Sequence, residues 1–120
     1  MSFREHLQQV VKNVDGAVAC ALMGVDGIEV DSHHLQGEAG LDVQTLLVEY
    51  SSLLRSAREA AAAHEAGGVT ELSVQSERLL VVARLVSPEY FMVVALRPDG
   101  NFGKARYMMR VTAPKLLAEL

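Results

Sequence analysis

The apolar residues near the start fall at Phe3, Leu7, Val10, Val11 and Val14, one stripe at helical spacing that ends near Asn13. The period then changes. Val14 to Val25 is a run of Val, Ala, Leu and Met that reads as a strand, and Asp26-Gly27 after it is a hairpin signal because both residues accept positive φ. Ile28 to Asp31 alternates apolar and acidic residues, as a strand at a sheet edge does, and Ser32 to Leu41 reads as a polar loop. Asp42 is placed to cap a long helix with the core stripe Val43, Leu46, Leu47, Tyr50, Leu54, Ala57 and Ala61, stopped by Gly67-Gly68. Three extended runs follow, Val69 to Ser76, Leu79 to Val86 and Tyr90 to Arg97, separated by segments short enough for hairpins. After Pro98-Asp99-Gly100-Asn101, the positions Ala105, Met108, Met109, Thr112 and Leu116 mark a last helix, which Pro114 is expected to kink or to split.

This order, α-β-β-α-β-β-β-α, predicts an α+β fold, an α/β sandwich formed by a single domain over residues 1–120. The nearly continuous apolar runs Val14–Val25, Leu79–Val86 and Tyr90–Arg97 belong in the middle of a sheet covered on both faces, and the alternating runs belong at its edges. With neighbouring strands paired through their hairpins, one order puts both alternating strands outside: a five-stranded antiparallel sheet, 2-1-5-4-3. The middle helix then covers one face and the two terminal helices the other. Glu29 and Asp31 guard one edge with acids, whereas Val69 to Ser76 is longer and less protected, so it invites another strand.

Composition and charge narrow the class. A chain of 120 residues that is 50% apolar and 22% charged is globular rather than disordered. Its net charge of −4 and its aromatic content of 5% argue against binding nucleic acid. No apolar run approaches the about 18 residues of a membrane span. Ser2-Phe3-Arg4-Glu5 reads as a capping box opening an amphipathic helix rather than as a signal peptide, so the expected location is cytoplasmic. One asymmetry survives the averaging. Residues 1–96 hold six bases and thirteen acids, net −7, whereas 97–115 hold Arg97, Lys104, Arg106, Arg110 and Lys115 against Asp99, net +4.

Catalytic chemistry finds no purchase. Gly103-Lys104 is followed by Ala105, and Pro98 stands where a P-loop needs its first glycine. The adjacent His33 and His34 do not converge on a metal and read as part of the polar loop, and Cys20 reads as a small core residue. The acids are too scattered for a general acid–base pair. No catalytic, metal or cofactor-binding residue is expected, and the chain is not expected to be an enzyme. A small-molecule sensor would need convergent polar groups around a cavity, which the sequence does not offer.

The middle helix has more than its core stripe. Opposite the core lie Val48, Ser52, Arg55 and Glu59, and a flanking stripe holds Glu49, Leu53, Ser56, Ala60 and Ala63. Small residues allow two helices to approach closely, so this stripe suits a copy of itself across a two-fold axis, although helix propensity alone also accounts for the alanines. The exposed strand Val69, Glu71, Leu72, Ser73, Val74 and Gln75 follows directly, and antiparallel pairing of two copies through it would bring the two helices together. A homodimer through both features is expected.

The whole chain resembles the Roadblock / dynein light chain family, in its bacterial MglB-like form. The resemblance rests on the element order, Val14-Asp15-Gly16-Ala17 entering the first strand, the Val25-Asp26-Gly27-Ile28 hairpin, the Ala-rich middle helix, and Asn101-Phe102-Gly103-Lys104-Ala105-Arg106 opening the last helix. It implies a homodimer with a sheet continued across the third strand. It also implies a Ras-like small GTPase as partner, whose hydrolysis MglB-type proteins stimulate by reshaping its switch regions without an inserted arginine. Val48, Ser52, Arg55 and Glu59 are then the candidate GTPase contacts on the paired helices, with Arg55 and Arg58 read either as phosphate contacts in trans or as ordinary surface residues. The alternative is a non-catalytic scaffold subunit of a bacterial signalling or motility complex, binding a kinase or another signalling protein.

Overall fold

The computed structural model describes residues 2–35 and 42–120. The elements are α1 (Phe3–Asn13), β1 (Ala17–Gly24), β2 (Glu29–His34), α2 (Val43–Ala63), β3 (Glu71–Gln75), β4 (Leu80–Leu85), β5 (Tyr90–Leu96) and α3 (Phe102–Glu119). The sheet is antiparallel throughout, in the order β2-β1-β5-β4-β3. The expected architecture and strand order therefore hold.

Each helix starts on a side chain that satisfies an otherwise orphaned backbone N–H. Ser2 Oγ accepts from Glu5 N–H at 3.2 Å and Asn101 Oδ1 from Lys104 N–H at 3.0 Å. Asp42 holds Thr45 twice, through its N–H at 3.1 Å and its hydroxyl at 2.7 Å. These bonds hold the Asp42 carboxyl below the usual carboxylate range, the Thr45 hydroxyl contributing most.

The central strands separate two cores. Leu7, Val10, Leu22, Met92, Met109 and Leu116 fill the space beneath α1 and α3. Val18, Met23, Leu47, Leu54, Phe91 and Val93 fill the space beneath α2. All eight residues of β1 are buried, because this strand is covered on both faces and paired on both sides. A register shift between Ala17 and Ala19 turns Val18 and Ala19 both towards α2.

Three local expectations need correction. Ser32, His33 and His34 do not belong to a loop: they continue β2, opposite Ala21, Cys20 and Ala19. Their polarity misleads because an edge strand needs only one buried face, and the backbone ladder of β1 accepts any residue. The rest of the expected loop, residues 36–41, lies outside the described residues. Next, the β1–β2 turn uses positive φ at Gly27 (92°) and not at Asp26. Gly27 N–H donates to the Gly24 carbonyl at 3.0 Å, and Gly24 N–H to the Ile28 carbonyl at 2.8 Å. This longer loop needs one left-handed residue where a two-residue type I′ turn needs two. Finally, of the two outcomes expected at Pro114 the split does not occur, because α3 runs through it. Both Pro114 and Arg110 are exposed, so the carbonyl deprived of its donor can be hydrated, while Ala113 and Leu116 hold the helix to the core.

Asp31 of β2 also makes a contact that lies beyond the reach of local spacing. Arg4 of α1 donates to Asp31 from Nε at 3.0 Å and from a terminal nitrogen at 2.7 Å, so Asp31 fastens a helix to the edge strand.

Candidate functional site

At the opposite edge, β3 pairs with β4 in the register Glu71↔Arg84, Leu72↔Ala83, Ser73↔Val82, Val74↔Val81 and Gln75↔Leu80. Just beyond its two ends, the Thr70 carbonyl accepts from Leu85 N–H at 3.1 Å and Ser76 N–H donates to the Leu79 carbonyl at 2.9 Å. Antiparallel pairs alternate between bonded and non-bonded, so these two contacts fix the phase. Thr70, Leu72, Val74 and Ser76 direct their backbone groups at β4. Glu71, Ser73 and Gln75 direct theirs away, towards the open edge. Proline at Leu72 or Val74 would therefore break the ladder inside the chain, whereas proline at Ser73 would remove only an outward donor.

The side chains of β3 sort onto both faces. Leu72, together with Val69 before the strand, packs against the core beneath α2. Glu71 faces α3, where Arg106 donates from Nε to both carboxylate oxygens at 3.0 Å, with a terminal nitrogen 2.9 Å from one of them. The bonds to Glu71 push the Arg106 guanidinium up from its usual value. Glu71 therefore presents its backbone, not its carboxylate, to the open edge.

On α2 the stripe Glu49, Leu53, Ser56, Ala60 and Ala63 is exposed along its whole length, and Leu53 keeps 46% of its surface in solvent. Val48, Ser52 and Glu59 are exposed beside it, Val48 by 42%. Arg55, the fourth residue of that row, is half-buried: its guanidinium donates to the Val25 carbonyl at the β1–β2 turn and, at 3.3 Å, to the Ser52 hydroxyl. Arg58 is also half-buried and lines an open groove of about 710 Å³ with Val25, Arg55, Glu59, Ala62 and Val69.

Periodicity did not reveal Ser51, which is 1% exposed. Its hydroxyl donates to the Val48 carbonyl, and a Cβ on Gly27 would stand 3.2 Å from its oxygen. The available signal was its spacing, four residues after Leu47 and three before Leu54, which places it on the core side despite its polarity. A small residue there lets α2 lie on the hairpin turn, and Arg55, one turn later, fastens it.

Among the described residues, no group of three His, Cys, Asp or Glu side chains is placed to hold a metal ion. Cys20 is fully buried, and that burial pushes its thiol far above the ordinary cysteine range. Nor is any helix among the described residues long and apolar enough to cross a membrane.

The arrangement has close counterparts among solved structures, although no family model and no curated protein matches the chain. The chain is 56% identical to MglC from Myxococcus xanthus, over 100% of both chains, with a TM-score of 0.72. A Roadblock/LC7 domain from Streptomyces avermitilis superimposes with a TM-score of 0.85 at 15% identity, covering 99% of this chain and 98% of that one. The gliding protein MglB from Thermus thermophilus gives 0.82 at 16% identity, covering 95% and 84%. At those lower identities the likeness is one of fold, whereas MglC is a relative in sequence along the entire length. The chain belongs to the Roadblock family, alongside MglC and the MglB-like domains.

Proposed function

We propose that the chain is a regulatory scaffold of a bacterial motility system, built as a homodimer through β3 and α2, that docks a Ras-like small GTPase on its paired α2 helices. The observation that carries this reading is the coincidence of two surfaces. The outward backbone groups of Glu71, Ser73 and Gln75 form a strand edge, and the exposed Leu53, set among Ser56, Ala60 and Ala63, lies on the helix that leads into it. One two-fold axis can satisfy both, the edge by strand pairing and the stripe by close helix packing. Val69, Leu72 and Val74 would border that interface, with Glu49 at its rim. A solved MglB, with a TM-score of 0.83 to this chain, has a tetrameric arrangement, and the Thermus relative is a gliding protein.

The GTPase would meet Val48, Ser52 and Glu59, a small apolar centre with mixed polarity around it, which suits a reversible interface. Arg55 belongs to the same row, but its bond to the Val25 carbonyl favours a structural role over a reach into nucleotide phosphates. That observation also supports a second reading, a scaffold that assembles a GTPase, a kinase or another signalling protein without altering GTP turnover.

Single-turnover GTP hydrolysis by a co-purified Ras-like GTPase, combined with gel filtration of the mixture, separates the readings. A complex with accelerated hydrolysis supports regulation. A complex with unchanged hydrolysis supports the scaffold, and the absence of both removes the GTPase from the account.

A further inference from the structure

The outer surface of α3 has a composition that the fold does not require. Ala105, Met109, Thr112, Ala113 and Leu116 form its buried side. On the opposite side an exposed ridge runs through Tyr107, Val111, Pro114 and Ala118, spaced four, three and four residues apart. Tyr107 is 53% exposed and Leu117, at the flank of the ridge, 49%. A solvated helix face is ordinarily charged along its middle, yet here the middle is apolar and the charge sits at its margins. Lys104 and Lys115 border one side and Arg110 the other. Lys104 rests over the Tyr107 ring, 5.7 Å from its centroid. Arg110 and Lys115 have no ion-pair partner among the described residues, whereas Arg106 is already held by Glu71.

We propose that this face of α3 docks an acidic amphipathic helix of a partner protein, whose apolar stripe covers Tyr107, Val111 and Leu117 while its carboxylates meet Lys104, Arg110 and Lys115. Two physical arguments select this occupant. α3 holds Lys104, Arg106, Arg110 and Lys115 against Glu119, net +3 on a chain of net −4, so it is the most basic element and draws an acidic ligand to this face. An anionic membrane suits the surface less well. Each base near such a surface contributes about 1 kcal/mol, and only Lys104, Arg110 and Lys115 flank the ridge, fewer than the clusters that hold a protein on anionic lipid. The docking face also lies across the sheet from α2, since α1 and α3 cover one core and α2 the other. A helix bound there leaves β3 and the α2 stripe uncovered, so one scaffold holds two kinds of partner at once.

The test is a titration of the ¹⁵N-labelled full chain with a synthetic helical peptide that has leucines along one stripe and glutamates beside it. The controls are the same peptide with lysines for glutamates, and phosphatidylserine-containing vesicles. The expected result is saturable binding of the acidic peptide alone, with amide shifts centred on Tyr107, Arg110, Val111 and Leu117. Affinity should fall at least about tenfold in Arg110→Glu/Lys115→Glu and in Val111→Ser. All three residues replaced are exposed, so circular dichroism should show the native fold in both variants, and Ser73→Pro should bind the peptide unchanged. No binding, equal binding of the basic peptide, shifts centred elsewhere, or sedimentation with vesicles in place of peptide binding would each overturn the proposal.

Discussion

The Arg55 guanidinium reaches from the middle of α2 to the Val25 carbonyl, thirty residues away in sequence, and ties the helix to the turn between β1 and β2. A hydrogen bond from a charged donor to a partly buried carbonyl contributes more than a neutral one, and losing the donor strands the carbonyl. Arg55→Ala should cost about 1–2 kcal/mol in urea unfolding, with increased amide exchange in residues 24–28. Arg58→Ala should leave both quantities near wild type. Equal effects of the two substitutions would place the anchoring elsewhere.

Gly16 and Gly100 interlock two corners of the chain. Gly16 sits at φ 86°, and a Cβ there would stand 2.4 Å from Gly100 Cα. Around them, Arg97 N–H donates to the Gly16 carbonyl and Asn101 N–H to the Asp15 carbonyl, both at 2.8 Å. Gly16→Ala meets both a disfavoured φ and a backbone clash, and should destabilise the fold by at least about 2 kcal/mol in chemical denaturation. Gly68→Ala is the control, since nothing lies within 4 Å of its added methyl.

Asp42 should make the start of α2 sensitive to acid. Its carboxyl is held below the usual carboxylate range by Thr45, so it is depressed in the folded state relative to the unfolded one. The stabilisation is therefore present above the ordinary aspartate value of about 3.9 and is lost as pH falls through the lower folded value. Wild type should lose helicity at the start of α2 in that acid range. Asp42→Asn retains a capping oxygen and should remove this component of the pH dependence. An unchanged acid profile in Asp42→Asn would count against the cap as its source.

Much of the fold was legible because burial on two faces leaves a strong mark. The runs around Val18 to Met23 and Phe91 to Leu96 could only be central strands, and their hairpin connections then fixed the order of all five. Where one face alone is buried the mark fades, and His33 and His34 disguised the end of β2 for that reason. Ser51 was hidden by its polarity, although the hydroxyl bonds within its own helix and the residue acts as a small spacer beneath Gly27. Pro114 suggested a split that does not occur, since an exposed break in the ladder is tolerated when the same helix is anchored on its buried side. The exposure of the α2 stripe, and of Val48, Ser52 and Glu59 in the row beside it, followed from helical spacing alone. What spacing could not disclose was that Arg55 spends its guanidinium on the turn and that Glu71 spends its carboxylate on Arg106, because both depend on contacts distant in sequence.

The phase of the β3 ladder gives the dimer its sharpest test. Ser73 directs its N–H away from β4, and Val74 directs its own towards it. Sedimentation equilibrium of wild type, Ser73→Pro and Val74→Pro, each checked by circular dichroism, reads the consequence as a mass. The account predicts a dimer for wild type, a folded monomer for Ser73→Pro, and disruption of the fold itself for Val74→Pro. A wild-type monomer, or a Ser73→Pro protein that remains a folded dimer, would contradict it.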